Sequence, residues 1–182
     1  MKKLIITSML SAMCLTAYAE EAPTAQPPKT KLESFQAKTG VVIIKGYTEV
    51  GSINGIGGTV SVDAREFIDA ANPAAKTTGV VIEVAESGRL QRSNRSLIDS
   101  DEIASLLKGI DYISSITSSV TKQSAFEAEY RTKGDFKVTV FSTKQGIEAA
   151  VSAGTIGKTS VYLKTDDLQK LKSLINQAKE KR

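Results

Sequence analysis

The sequence predicts an α+β fold: antiparallel sheets with two amphipathic helices packed on one face, arranged as a strands-then-helix unit that is a candidate for internal duplication. Two observations carry the class. Apolar and polar residues alternate with period two through most of the chain, whereas only two stretches, one near residue 103 and one near 168, show helical spacing. A third observation suggests the repeat. Laying residues 96–111 over 161–176 pairs Asp101 with Asp166, Leu106 with Leu171 and Ile110 with Ile175. Ser100 falls on Thr165 and Ile103 on Leu168. Any two capped amphipathic helices share some of this likeness, so both explanations stand at this level.

The N-terminus reads as an export leader over residues 1–19. Lys2 and Lys3 are followed by a mostly apolar run from Leu4 to Thr16, too short for a permanent membrane span, and Ala17-Tyr18-Ala19 fits a signal-peptidase site. Met13 before Cys14 does not fit a lipoprotein anchor. Removal of the leader also removes Cys14, the single cysteine, and leaves an excess of only two basic groups. The expected working form therefore has no disulfide and relies on its own core.

Residues 20–38 contain Pro23, Pro27 and Pro28, three of four prolines, and read as a disordered linker. The body, a single α+β domain over 39–182, opens with the β-branched run Val41–Ile44, continued by Tyr47 and Val50. The glycines between Gly51 and Gly58 demand a turn, and Thr59–Phe67 alternates as a half-buried strand. Asn72-Pro73 reads as a break before a strand over Gly79–Val84. Ser87–Arg95 reads as a polar loop and Ser96–Ile98 as a short strand. Asp99 or Ser100 is placed to cap a helix whose stripe is Ile103, Leu106, Leu107, Ile110 and Ile113.

The second half has the same order. Strands are expected around Phe126–Arg131, Phe136–Phe141, Ile147–Val151 and Val161–Leu163, with turns at Gly134-Asp135 and between Gly154 and Gly157. Thr165 is placed to cap a final helix with Asp166 and Asp167 in its first turn and the stripe Leu168, Leu171, Leu174, Ile175, Ala178. The candidate half-repeats are 39–120 and 124–182. Each sheet would cover one face with helices and leave the other open.

Functional chemistry is bounded mainly by what the chain lacks. It has no histidine, which removes the side chain best suited to proton transfer near neutral pH and the commonest ligand for zinc, copper and iron. No catalytic, cofactor-binding or metal-ligating residue is assigned. Ser105/Lys108 and Ser119/Lys122 fit Ser-x-x-Lys, and with Lys38-Thr39-Gly40 and Ser52-Ile53-Asn54 they resemble the motif set of penicillin-binding enzymes. Both the order of the motifs and the chain length differ from that pattern. Ser152–Thr159 approximates a phosphate-binding loop but lacks the first glycine and leads into a strand, so a hairpin turn is expected. Glu127 and Glu129 fall on the solvated side of their strand.

Arg89, Arg92 and Arg95 form the one candidate contact patch, for an anionic partner. No aromatic residue is interleaved with them, and the small net charge argues against nucleic acid as partner. These features lead to the expectation of an exported, non-enzymatic binding or accessory protein of the bacterial periplasm or cell envelope. It would be periplasmic or secreted, without a transmembrane segment once the leader is cleaved and without a cofactor. It would hold a protein or small ligand and be open to homo-oligomer formation. The competing expectation is a small cell-envelope hydrolase using Ser-Lys or carboxylate chemistry.

Overall fold

The structure, a computed structural model, describes residues 27–182. The leader read over 1–19, Cys14 and the first part of the linker read over 20–38 lie outside the described residues.

Two four-stranded antiparallel meanders make up the α+β fold. The first sheet has the order β1 (Ile43–Gly55), β2 (Gly58–Asp69), β3 (Asn72–Glu86), β4 (Ser93–Asp99), and α2 (Ile103–Ser114) follows it. The second has the order β5 (Glu127–Arg131), β6 (Lys137–Thr143), β7 (Gly146–Ala153), β8 (Thr159–Leu163), and α3 (Thr165–Glu180) follows. Short turns join neighbouring strands, so each sheet is a run of hairpins. Among the described residues no helix is long and apolar enough to cross a membrane.

One core serves both sheets. Val60, Val62, Ala64, Val80, Ile82, Val84 and Ile98 of the first sheet face Val138, Val140, Ala149, Val151, Val161 and Leu163 of the second, and both helices fill the space between. The helical stripes are buried largely as their spacing predicts: Ile103, Leu106, Ile110 and Ile113 on α2, and Leu168, Leu171, Ile175 and Ala178 on α3, with Leu107 and Leu174 half-buried at the margins. Full burial of an Ile or Leu side chain stabilises by about 1.5–3 kcal/mol, which holds for seven of these eight positions; the Ala178 methyl contributes less. α2 lies chiefly on β5 and β6, whereas α3 reaches across to β1, β2 and β3 as well as to β7 and β8.

The sheets meet at a seam. Ile56, in the β1–β2 turn, exchanges two backbone hydrogen bonds with Tyr162 of β8, at 2.9 and 3.1 Å. Glycine is required beside it: a Cβ on Gly58 would stand 2.0 Å from the Ala85 carbonyl and 2.7 Å from Val161. Thr159 Oγ donates to the Val84 carbonyl at 2.8 Å, and Ser160 N–H donates to Glu86 at 2.9 Å. The Ser160 hydrogen bond, followed by that from Arg92, holds the Glu86 carboxyl below its usual range.

Four expectations are corrected. The linker reading fails over its C-terminal part, because Lys31–Gln36 forms a short helix, α1. Thr30 and Glu33 make a capping box, and Leu32 and Phe35 pack on Phe67, Ile43 and Leu97. Asn72-Pro73 does not break the chain. The reversal is at Ala70-Ala71, where Asp69 Oδ1 accepts the Ala71 N–H at 3.0 Å, and Pro73 lies in the stretch of β3 whose pairing resumes in register only at Lys76. Asp99 does not cap α2, which begins at Ile103 after Glu102. Instead its buried carboxylate accepts the N–H groups of Lys31 and Leu32 at 2.8 and 3.0 Å and so caps α1. Thr165 is the first residue of α3 rather than its cap, and Asp167 accepts the preceding Lys164 N–H.

Candidate functional site

The face of the first sheet turned away from the core is divided in two. Leu32 and Phe35 of α1 cover one part, where Phe67, Val81 and Leu97 point outward. The other part is an open groove of about 670 Å³ lined by Tyr47, Glu49, Ser61, Asp63, Arg65, Glu83 and Arg95, among others. Strand register assembles it. Tyr47 lies opposite Arg65, Glu49 opposite Asp63, Ser61 opposite Glu83, and Glu83 opposite Arg95, with all four pairs on one face.

The groove floor is a row of paired charges. Arg65 Nη2 bonds Asp63 Oδ2 at 2.7 Å, and its guanidinium stacks 4.7 Å from the centre of the Tyr47 ring. The Arg65 and Asp63 side chains are only 16% and 19% exposed, so this pair is fixed rather than waving in solvent. Arg65 Nε is enclosed and has no hydrogen-bond partner among the described residues, which costs about 1–3 kcal/mol. Arg95 Nε bonds Glu83 at 2.6 Å. That hydrogen bond and the carboxylate's charge raise the guanidinium above its usual range.

A cleft of about 460 Å³ adjoins the groove and shares Arg95 with it; its walls are Pro27, Lys29, Gln36, Leu97, Gly134, Asp135 and neighbours. Asp135, in left-handed backbone at φ +62°, is paired with both Lys29 and Arg131. Burial pulls its carboxyl upward, but the bonds from Lys29 and Arg131 outweigh it and leave the group below its usual range. Lys31 is paired with Asp101 at 2.7 Å, and Glu102 accepts the Lys133 N–H at 2.7 Å. The segment 29–36 is thereby fastened to β4, to the start of α2 and to the β5–β6 turn.

The three arginines singled out by the sequence are separated. Arg95 belongs to the groove. Arg92 is paired with Glu86 at 2.7 Å at the seam, and Arg89 is exposed in the β3–β4 loop. Both Arg92 and Arg95 thus face a glutamate of β3. Ser105 donates to the Glu102 carbonyl at 2.8 Å, while Ser119, Lys108 and Lys122 are exposed. The Ser152–Thr159 stretch is a hairpin turn with Gly154 and Gly157 at positive φ, and Thr159 is tied to Val84. Glu127 and Glu129 are exposed as their strand phase predicts, and Glu129 bonds Lys137 at 2.8 Å. Sequence reasoning missed Arg65, Asp63 and Tyr47. Their shared parity along two neighbouring strands was the available signal.

No protein-family model matches this chain, and no curated protein matches it in sequence.

Proposed function

We propose that this is an exported, non-enzymatic binding or accessory protein of the bacterial envelope whose contact surface is the groove on the outer face of the first sheet. The observation that carries the reading is the Tyr47–Arg65–Asp63 cluster. A sheet face that only meets solvent has no need of a stacked, ion-paired and largely enclosed arginine with an unpaired Nε. Such a preorganised polar floor, flanked by the Ser61 hydroxyl and the Glu83–Arg95 pair, suits a protein segment or small ligand that hydrogen-bonds along the strands. The absence of histidine from the chain, and the exposed settings of Lys108 and Lys122, favour binding over hydrolysis.

The test is site-specific photo-crosslinking in cells. A photoreactive residue at Ser61 is expected to give a discrete adduct that Arg65→Ala abolishes, while the same probe at Lys108 gives none. Identical adducts from both positions, or none from Ser61, overturn the assignment of the groove. Turnover by the purified protein that a single substitution abolishes overturns its non-enzymatic character.

A further inference from the structure

We infer that β1 is a self-association edge, along which a second copy of this chain pairs antiparallel through Lys45–Glu49 with Tyr47 on the two-fold axis. Among the described residues β1 is the first strand of its sheet and pairs with no strand other than β2. Register fixes which backbone groups it leaves unused. Ala70 N–H donates to the Val42 carbonyl, so residues of even number from Val42 to Thr48 bond β2, and Ile43, Lys45, Tyr47 and Glu49 point their N–H and C=O groups outward. Among the described residues those outward groups bond no other element. The same edge exposes apolar side chains, with Val42 71%, Ile44 53% and Tyr47 65% accessible. An uncovered edge of this kind, without proline or bulge before Glu49, is a template for another strand.

The charges along the edge select the occupant. Lys45 and Glu49 share the outer face, and neither has an ion-pair partner among the described residues. Pairing two copies with Tyr47 opposite Tyr47 sets each Lys45 opposite the other copy's Glu49. It also matches outward-pointing residues with outward-pointing residues, which an antiparallel ladder requires. Ile44 then comes beside Val50 of the second copy. The bulge between Glu49 and Gly51 reverses the strand's phase and ends the ladder there, so about six backbone hydrogen bonds form. The result is one eight-stranded sheet on which the two outer-face grooves run side by side. Pairing along β1 uses backbone groups outside the groove and does not depend on what the groove binds.

Sedimentation of the full chain across a concentration series, with cysteine crosslinking, tests it. The parent protein is expected to dimerise. Lys45→Glu should weaken the dimer about tenfold or more, because two attractive cross-strand pairs become repulsive, and Lys45→Glu combined with Glu49→Lys should restore it. Lys45→Pro should give a folded monomer, since the lost N–H faces outward. In a Cys14→Ser background, Tyr47→Cys should crosslink to its own counterpart, while Lys45→Cys should crosslink only when mixed with Glu49→Cys. A parent chain that stays monomeric at millimolar concentration, or a dimer indifferent to both Lys45→Glu and Lys45→Pro, overturns the inference.

Discussion

Leu32→Ala probes the clasp that the N-terminal helix makes with the first sheet. Leu32 is fully buried, and its Cδ1 presses so close to Gly79 that a Cβ there would stand 2.5 Å away. Its seat is the floor of a sheet rather than mobile side chains, so the hole left by truncation collapses poorly. Leucine-to-alanine changes in such settings cost about 2–5 kcal/mol. With a urea slope of about 2 kcal/mol per M, the midpoint should fall by roughly 1–2.5 M. A local signature should accompany the loss. The Lys31 and Leu32 amides, held by Asp99 at 2.8 and 3.0 Å, should lose protection from hydrogen exchange before the amides of β2 and β3 do. Asp99→Ala should release the same two amides and cost about 0.5–2 kcal/mol as a lost cap. An unchanged midpoint in Leu32→Ala, with Lys31 and Leu32 amides as fast in the parent as in the variant, would refute the docking of α1.

Gly58→Ala should destabilise by about 1–3 kcal/mol through overpacking at the seam, visible as a lowered melting temperature. A neutral result would mean that Ala85 and Val161 can move apart. Acid should weaken the fold through Asp135. Its carboxyl is lower in the folded state than in the unfolded chain, so the stabilisation is present above the unfolded value and lost as pH falls through the folded one. Asp135→Asn, which tolerates the same left-handed backbone, should flatten the slope of stability against pH below about 4; an unchanged slope would count against the Lys29 and Arg131 pairing. Lys172→Met, which removes the 2.6 Å surface pair with Asp111, should shift stability by no more than about 1 kcal/mol in chemical denaturation. N-terminal sequencing of the protein recovered from the envelope fraction should begin at Glu20, and a chain beginning at Met1 would end the export reading.

The parts legible in the sequence were those whose burial is periodic. Both helical stripes and most strands could be read because each element shows one face to the core and one to solvent, and that contrast writes a period of 3.6 or 2. α1 was obscured by a compositional rule. Pro27 and Pro28 mark the approach to the helix, not a disordered tract, and the helix holds only two large apolar residues. Its signal was nonetheless present as Thr30-Lys31-Leu32-Glu33, a capping box, with Phe35 three residues beyond Leu32. The Ala70-Ala71 turn carries no glycine or proline; the Asp69 side chain supplies what the turn residues do not. The groove was illegible for a different reason. Tyr47, Asp63, Arg65 and Glu83 each look like ordinary members of their strands, and only cross-strand register makes them neighbours. Arg95 was noticed, but as one of three evenly spaced arginines, whereas its place is set by its Glu83 partner on β3.

The order β-β-β-β-α occurs twice, and the offset that aligns Ser100 with Thr165 also aligns β4 with β8 and α2 with α3. Yet the helices do not simply serve the sheets that precede them. α2 turns away from the first sheet to lie on β5 and β6, and α3 spans from its own β7 and β8 to β1, β2 and β3. A half ending at α2 would therefore leave the inner faces of Val60, Val62, Val80 and Ile82 without much of their cover, and those of Val138 and Val140 would be equally bare in the other half. Exposed apolar area on that scale outweighs what either four-stranded sheet gains from its hairpins alone. The Ile56–Tyr162 bridge and the Thr159–Val84 bond join the halves at the opposite end from the α1 clasp. With one core shared between them, the two halves are expected to unfold together in a single transition. The part of the first sheet's outer face that α1 leaves open, outside both this core and the Leu32–Phe35–Phe67 cluster, is where sequence can vary toward function at the least cost in stability.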